Sequence, residues 1–328
     1  MPLSRRRLLT FALAAAGIAP AAPAQRLPAD RPLHIVVPYA AGGTTDLLAR
    51  QVASRLSELL GQPVVVDNKP GGAGTIAGAY VAAQRPDGLV LLLGGIELAT
   101  APALAPQKSF VPVRDLAGVA GLSVGPLVLV VNPDRTSART LAELIAQARA
   151  QPGALTFASA GNGNVTHLFG ELFARSARID LRHVPYRGAA PALTDLQAGQ
   201  VTMMMAGTAG VRQFVANGSL RALAVTGNDA AGAGFPGVPT FAQAGLPMPE
   251  TDAGAWTALF APRETPAQIK DQLNAAVGQV LAQPELKTQF ALIGLSPAPM
   301  APDALQAHLA AQTQAWTRII EQAGIKTD

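Results

Sequence analysis

The sequence predicts an α/β protein of two lobes, each a doubly wound sheet flanked by helices. Three observations carry that expectation. Short apolar runs alternate with stretches of helical period, several of the runs are apolar throughout, and one glycine-rich strand-to-helix turn occurs twice. Strands apolar on both faces belong in sheets covered by helices on both sides, and the alternation is that of βαβ units. With 328 residues, 49% hydrophobic and 14% charged, the chain can bury a substantial core in two domains of ordinary size.

Residues 1–24 stand outside that pattern. Ser4-Arg5-Arg6-Arg7-Leu8-Leu9 leads into an apolar stretch, Leu8 to Ala16, and Ala22-Pro23-Ala24 precedes Gln25. A basic start, a short apolar centre and a small-x-small end make an export signal, and the paired arginines give it a twin-arginine character, with an ordinary Arg-rich secretory signal as the alternative. The apolar stretch is shorter than the roughly 20 residues that a bilayer span needs. Removing residues 1–24 takes away three arginines and no acid, so the net charge falls from +4 to +1. Nucleic acid is therefore not an expected partner, since no basic stripe or set of stacking aromatics remains. Cysteine is absent, which excludes disulfides, thiolate metal sites, a cysteine nucleophile and a lipid-bearing cleavage site.

The first strand, His34 to Val37, leaves through Pro38-Tyr39-Ala40-Ala41-Gly42-Gly43-Thr44-Thr45. A helix follows, with Leu48, Val52, Leu56 and Leu59 on one stripe until Gly61 stops it. Further strands are read at Val64 to Val66, Leu89 to Leu93, Leu127 to Val131, Leu155 to Ala158, Leu181 to Val184, Val201 to Met205, Leu220 to Val225 and Trp256 to Phe260. Thr140 with Glu143 has the pattern of a capping box, and Pro152-Gly153 ends that helix. Helices at Pro266 to Leu281, Glu285 to Ile293 and Asp303 to Ala323 make up the C-terminal part. The glycine turn returns at Ser159-Ala160-Gly161-Asn162-Gly163-Asn164, again between a strand and an amphipathic helix carrying His167, Leu168, Leu172 and Phe173.

A helix start carries unpaired N–H groups and roughly half a positive charge, so a turn without side chains admits an anion to the backbone. Gly42, Gly43, Gly161 and Gly163 clear the way, while Thr44, Thr45, Ser159 and Asn164 can add donors. Asp46 falls at the third helical position after an N-cap at Gly43, where a carboxylate favours the helix start. The third glycine run, Gly71 to Gly78, follows its strand at a distance and has the wrong spacing for a dinucleotide fingerprint, so it reads as a loop opening a small-residue helix. No GxSxG is present, and His34, His167, His183 and His308 lie apart with no spacing that pairs them. His34 reads as strand packing, His308 as part of a solvated helix face, and His167 as facing either a cleft or its own helix start. Glu97 reads as a solvated loop acid, with a ligand ammonium as the alternative partner. Met203-Met204-Met205 reads as a buried strand.

Several ordered blocks then identify a resemblance that covers the whole mature chain. They are VVPYAAGGTTDLLAR, LGQPVVVDNKPGGAGTIAG, RPDGLVLLLG, LTFASAGNGNVTHLFGELF, HVPYRGAAPALTDLQAGQV, LRALAVT, FPGVPTFAQAGLP and LNAAVGQVLAQPELKTQFALIGLSP. In these the sequence resembles the periplasmic solute receptors of tripartite tricarboxylate transporters, the Bug proteins. The resemblance implies a two-lobed type II periplasmic-binding-protein fold that closes on a small carboxylated solute and presents it to a membrane permease. It also implies that backbone amides at Tyr39, Ala41, Gly42, Gly43 and Thr44, and at Ser159, Gly161, Gly163 and Asn164, hold the carboxylate. His167 and the turn of Tyr186, Arg187 and Gly188 lie nearby in that scheme. The sequence departs from the family pattern at Thr202 and at Met205-Ala206-Gly207, where an apolar wall replaces polar contacts, and at Glu97, where the family often offers a hydroxyl.

The resulting expectation is a soluble periplasmic receptor without cofactor or metal, monomeric, and not an enzyme. Its first lobe comprises residues 25–125 plus 251–328 and its second residues 126–250, with hinge crossings near residues 125 and 250. Specificity is expected from Glu97, Tyr186, Arg187 and the segment from Met205 to Thr208, Gly207 included. Arg187 fits a carboxylate partner and a surface turn equally well. Two rival functions share the same sequence: a cofactor-bearing enzyme exported folded, and a ligand-binding partner of a membrane kinase.

Overall fold

The computed structural model describes residues 27–104, 109–227, 233–251 and 254–323. The export segment thus lies outside the described residues. Strand β1 (Leu33–Val37) feeds helix α1 (Thr44–Leu60), β2 (Val64–Asn68) feeds α2 (Thr75–Ala82), and β3 (Val90–Gly95) runs straight into α3 (Ile96–Leu104). A short α4 (Pro112–Asp115) then leads to β4 (Leu116–Gly125). Next come β5 (Leu127–Val131), α5 (Leu141–Ala150), β6 (Thr156–Ser159), α6 (Val165–Ala177), β7 (Arg182–Pro185) and α7 (Ala189–Gln197). They are followed by β8 (Met203–Gly207), α8 (Thr208–Ala216) and β9 (Arg221–Val225). The chain closes with β10 (Ala255–Pro262), α9 (Ala267–Ala282), α10 (Pro284–Leu292), β11 (Ser296–Pro297) and α11 (Pro302–Ala323).

The strands form two sheets, in the orders β11-β4-β10-β3-β1-β2 and β7-β6-β8-β5-β9. With the short edge strand β11 set aside, the two orders are the same pattern. In the first sheet β1 pairs in parallel with β2 and β3, and β10 lies antiparallel between β3 and β4. In the second, β6 pairs in parallel with β7 and β8, and β5 lies antiparallel between β8 and β9. Each sheet thus accepts one antiparallel strand from chain that has just left the other. The first passage is Pro126 alone, between β4 and β5. From β1 the chain goes to one side for β2 and to the other for β3, and β6 does the same with β7 and β8. Both glycine turns therefore sit at the switch point of a sheet, beyond the strand ends, where open α/β sheets hold their ligands.

Packing follows the sequence pattern with instructive exceptions. Leu48, Val52 and Leu56 of α1 are fully buried, but Leu59 in its last turn is 43% exposed. Gly61 ends the helix at φ 66, a left-handed conformation suited to glycine. Thr140 caps α5 by accepting from Glu143 N, while Glu143 Oε2 takes Arg139 N. The methionines of β8 are buried as read. Strand β4 was not among the strands read from the sequence, because Gly118 and Gly121 interrupt its apolar character. A Cβ at Gly118 would come within 2.9 Å of Pro302 O, and one at Gly121 within 2.5 Å of Ala298 O, so these glycines let the segment before α11 lie on the strand. Helix α11 in turn touches both halves. Fully buried Trp316 stacks on Phe169 of α6 at 5.8 Å, and Arg175 donates to Gln322 at 2.7 Å.

Candidate ligand-binding cleft

The turn after β1 is organised by one carboxylate. Asp46 is 2% exposed, and its Oδ2 accepts from Gly42 N and Arg50 Nε, each at 2.9 Å. Its Oδ1 accepts from Asn68 Nδ2 at 3.0 Å, and the same amide group reaches Tyr39 O. The Arg50 contact, followed by Gly42 N–H and Asn68, holds the Asp46 carboxyl down at about 2 against the opposing effect of burial. Gly42 needs its φ of 89. Gly43 does not: it is the N-cap of α1 at φ −80, ψ 169, with no side-chain cap, and a Cβ there would meet only Ala40 O at 4.0 Å. Neither backbone conformation nor packing asks for glycine at this position. Thr44 is exposed beside it, and the first N–H groups of α1 have no intrahelical acceptor.

The turn after β6 is laced internally. Ser159, fully buried, accepts Gly161 N on its Oγ at 3.2 Å and meets His183 Nε2 at 2.6 Å. Gly163 N donates to His167 Nδ1 at 3.1 Å, Ala160 N to Thr166 Oγ1 at 2.9 Å, and Asn164 N to Gly161 O at 3.2 Å. Asn164 is the N-cap of α6, its Oδ1 accepting Thr166 N. Gly161 and Gly163 have φ 129 and 72, so both positions require glycine on backbone grounds. In this arrangement the amides of Gly42, Gly161, Gly163 and Asn164 are already donated within the protein. The α1 start at Gly43 to Thr45 and the amides of Asn162 and Val165 carry no such bond among those described.

The histidines are not independent. His167 stacks on His183 with centroids 4.0 Å apart, and Phe157 stacks with both, at 4.7 Å from His183 and 6.3 Å from His167. His167 thus faces its own helix start, with Nε2 3.6 Å from Glu171. Burial, and then the neighbouring His167, push His183 down to about 4. The parallel register that sets Phe157 opposite His183 brings these rings together, and sequence spacing carries no trace of it. His34 is not strand packing: half-exposed, it contacts Asp67 on β2 at 2.7 Å. His308 is not on a solvated face either. It stands edge-on to Trp256 at 5.0 Å, and burial lowers its pKa.

Glu97 is not a solvated loop acid. Strand β3 passes into α3 without a loop, so Glu97 occupies the first turn of that helix and is 7% exposed. Its Oε1 accepts Gly95 N at 2.7 Å, and the Tyr39 hydroxyl hydrogen-bonds to the carboxyl. Burial pushes the Glu97 carboxyl up, partly offset by Gly95 N–H and Tyr39, and burial together with Glu97 pushes Tyr39 well above its ordinary value. Tyr186 has its hydroxyl committed to Asp195 of α7 at 2.7 Å, and burial, followed by that contact, raises it to about 12. Arg187 is exposed, and none of the ion pairs among the described residues uses it. Gly207 is the uncapped N-cap of α8 at φ −61, exposed, with nothing within 4 Å of a Cβ. Like Gly43, it is a glycine that local structure does not demand. The run from Gly72 to Gly74 is a single 3-10 turn entering α2, as the loop reading expected.

A sequence profile described as the tripartite tricarboxylate transporter family receptor matches residues 48–325. The chain belongs to that family. The receptor is 36% identical to protein BugT of Bordetella pertussis over 316 residues, 96% of this chain and 95% of that one. Its fold is similar to that of the periplasmic binding protein BugD, with TM-score 0.79, 30% identity, and coverage of 91% of this chain and 99% of the other. It is also similar to an R. palustris protein solved with adipate, with TM-score 0.80, 32% identity, and coverage of 90% and 98%. These likenesses span both sheets and bear out the two-lobed periplasmic-binding-protein fold.

Proposed function

We propose that this receptor captures a small carboxylate solute in the periplasm between its two lobes and delivers it to the permease subunits of a tripartite transporter. The observation that carries the reading is Gly43. An uncapped helix start at a sheet's switch point, bared by a glycine that neither φ nor packing requires, is a place kept clear for an anion. The turn after β6 stands at the equivalent point of the other sheet, and a relative of the same fold was solved with adipate.

In this reading the carboxylate sits on the N–H groups of Gly43, Thr44 and Thr45, and the lobe-2 turn closes over it with Asn162 and Val165. Tyr39, Ala41, Gly42, Ser159, Gly161, Gly163, Asn164 and His167 shape the two turns. Arg187, exposed and without an ion pair among the described residues, swings to the ligand, while Tyr186 holds its turn through Asp195. Gly207 and the start of α8 form the opposite wall. Lobe 1 comprises residues 25–125 plus 251–328 and lobe 2 residues 126–250, hinged at Pro126 and near residue 250. Export uses the twin-arginine signal, the mature protein is a soluble monomer, and no catalysis takes place. Micromolar affinity, about 8 kcal/mol, is within reach of a few charge-assisted hydrogen bonds and burial of a small apolar body. Native mass spectrometry of gently purified protein weighs any solute retained, and thermal-shift screening compares carboxylates with their primary amides. Acids are expected to stabilise and amides not; equal stabilisation by both overturns the anion site.

A further inference from the structure

Each sheet has one face to itself and one face in common with the other. In the first sheet side chains alternate between two cores: Val36, Leu92 and Phe260 join one, and Ile35, Leu91 and Leu259 the other. In the second sheet Leu129 and Met205 belong to that same first core, whereas Val128 and Met204 belong to a third. The first core therefore continues from lobe to lobe, and the other two serve one lobe each.

The lobes touch on both sides of the sheets, beside the place where the chain crosses. The two crossings lie together, since a Cβ on Gly254 would come within 2.9 Å of Gly125 O. On the shared face α11 joins the lobes. Its first half is tied to lobe 1 by Gln306, whose Oε1 accepts Gly118 N at 2.9 Å. Its second half is tied to lobe 2 by the stack of Trp316 on Phe169, both fully buried, and by the bond from Arg175 to Gln322. On the opposite face the turn after α10 meets the start of α8. A Cβ on Gly294 would lie 2.7 Å from Thr208 Oγ1 and 2.8 Å from Ala209 N, and Thr208 is 2% exposed. That turn is fixed to lobe 1, because Ser296 pairs with Val124 of β4.

Parting the stack would expose two large aromatic rings to water, whereas rolling the rings over one another keeps them covered. The Gly294 contact is as close as backbone allows, and it too can pivot without opening. Two contacts that stay packed leave a body one rotation, about the line that joins them. We propose that these two contacts are the bearings of the hinge, packed in the open and the closed receptor alike, and that lobe 2 turns about the line between them. The proposal rests on the two-lobed receptor reading above and adds to it the path of closure. The line crosses the sheets from face to face, so the lobes swing in the plane of their sheets. Strands β4, β10 and β5 beside the line move least, and the outer strands β2 and β7 move most. The turn after β7, which carries Arg187, therefore travels farther than the turn after β6.

The sequence contains no cysteine, so nitroxide spin labels attach only where cysteines are introduced. Double electron–electron resonance on the ligand-free mature protein compares three pairs at exposed positions. Val65→Cys with Arg182→Cys spans the outer strands, Gln314→Cys with Arg178→Cys spans α11 and α6, and Leu292→Cys with Gln213→Cys spans α10 and α8. The spread of distances in the outer pair is expected to be at least about three times that in either bearing pair. A bearing pair as broad as the outer pair, or an outer pair as narrow as the bearings, overturns the proposal. Neither result touches the comparison of acids with amides, which tests the receptor reading separately. Trp316→Leu, which removes the stack, should broaden the outer pair about twofold. An unchanged spread in that variant also overturns the proposal. The wild-type comparison needs no change in the core, so a Trp316→Leu protein that fails to fold leaves the test standing.

Discussion

The turn after β1 is anchored by the Asp46 carboxylate and leaves α1 uncapped, whereas the turn after β6 is laced by Ser159, His167 and Thr166 and its helix is capped by Asn164. Both occupy the same place in matching sheets, so topology does not set this difference. It follows from which groups absorb the backbone N–H donors. In the first turn one acid takes Gly42 N and the following donors stay free; in the second, neutral side chains take Gly161 N and Gly163 N. The first turn is thus built to receive charge, and the second to hold a shape against it.

The strongest way to break this comparison is substitution at the two kinds of glycine. Gly43→Val meets no backbone or steric strain and loses only a favourable N-cap residue, so its unfolding temperature should fall slightly while affinity falls at least about 1,000-fold, near 4 kcal/mol, as charge-assisted bonds are lost. Gly161→Val forces a side chain into φ 129 within 3.4 Å of Tyr186 O, so both binding and melting temperature should fall. Calorimetric titration with thermal melts separates the two. Retained affinity in Gly43→Val removes the open helix start from the account.

Acidification sharpens the comparison next. His183 titrates at about 4 in the folded protein, below its ordinary 6.5. The stability it contributes is therefore complete above 6.5 and is lost as pH falls toward 4, up to about 3 kcal/mol. Asp46, lowered from 3.8 to about 2, contributes fully above 3.8 and loses its share only as pH falls toward 2, about 2 kcal/mol. The second turn should thus loosen at a pH where the first is still intact. Hydrogen exchange of residues 159–165 against 42–46 between pH 7 and pH 4 measures this, and His183→Gln should flatten the dependence. Simultaneous loosening of both turns contradicts it.

How much of this was legible in the sequence follows from the range of the interactions. Asp46 under a Gly43 cap was readable because its bond to Gly42 N spans four residues, and the Thr140 cap of α5 was readable for the same reason. The buried state of Glu97 was not, because it depends on β3 entering α3 without a loop and on Tyr39 reaching it from the turn after β1. The stack of His167 on His183 depends on strand register, and β4 was hidden by glycines whose purpose is contact with chain about 180 residues away, a separation no local period can report. The glycine turns themselves were visible, but which of their amides remain open was a matter of side-chain partners.

A smaller effect refines the second turn. His167→Gln removes the ring acceptor for Gly163 N and one layer of the stack, which should cost about 1 to 2 kcal/mol of stability and a few-fold in affinity. Urea denaturation and titration of the same preparation check it. A loss of affinity as large as that of Gly43→Val would mean that the laced turn, not the open one, carries the ligand.

The central claim is where the carboxylate sits, and a crystal structure of the protein with its tightest-binding acid tests it most directly. The account predicts carboxylate oxygens within hydrogen-bonding distance of the Gly43, Thr44 and Thr45 amides, with the turn from Ser159 to Asn164 closed over them. A carboxylate bound away from the start of α1, with those amides still facing solvent, would contradict it.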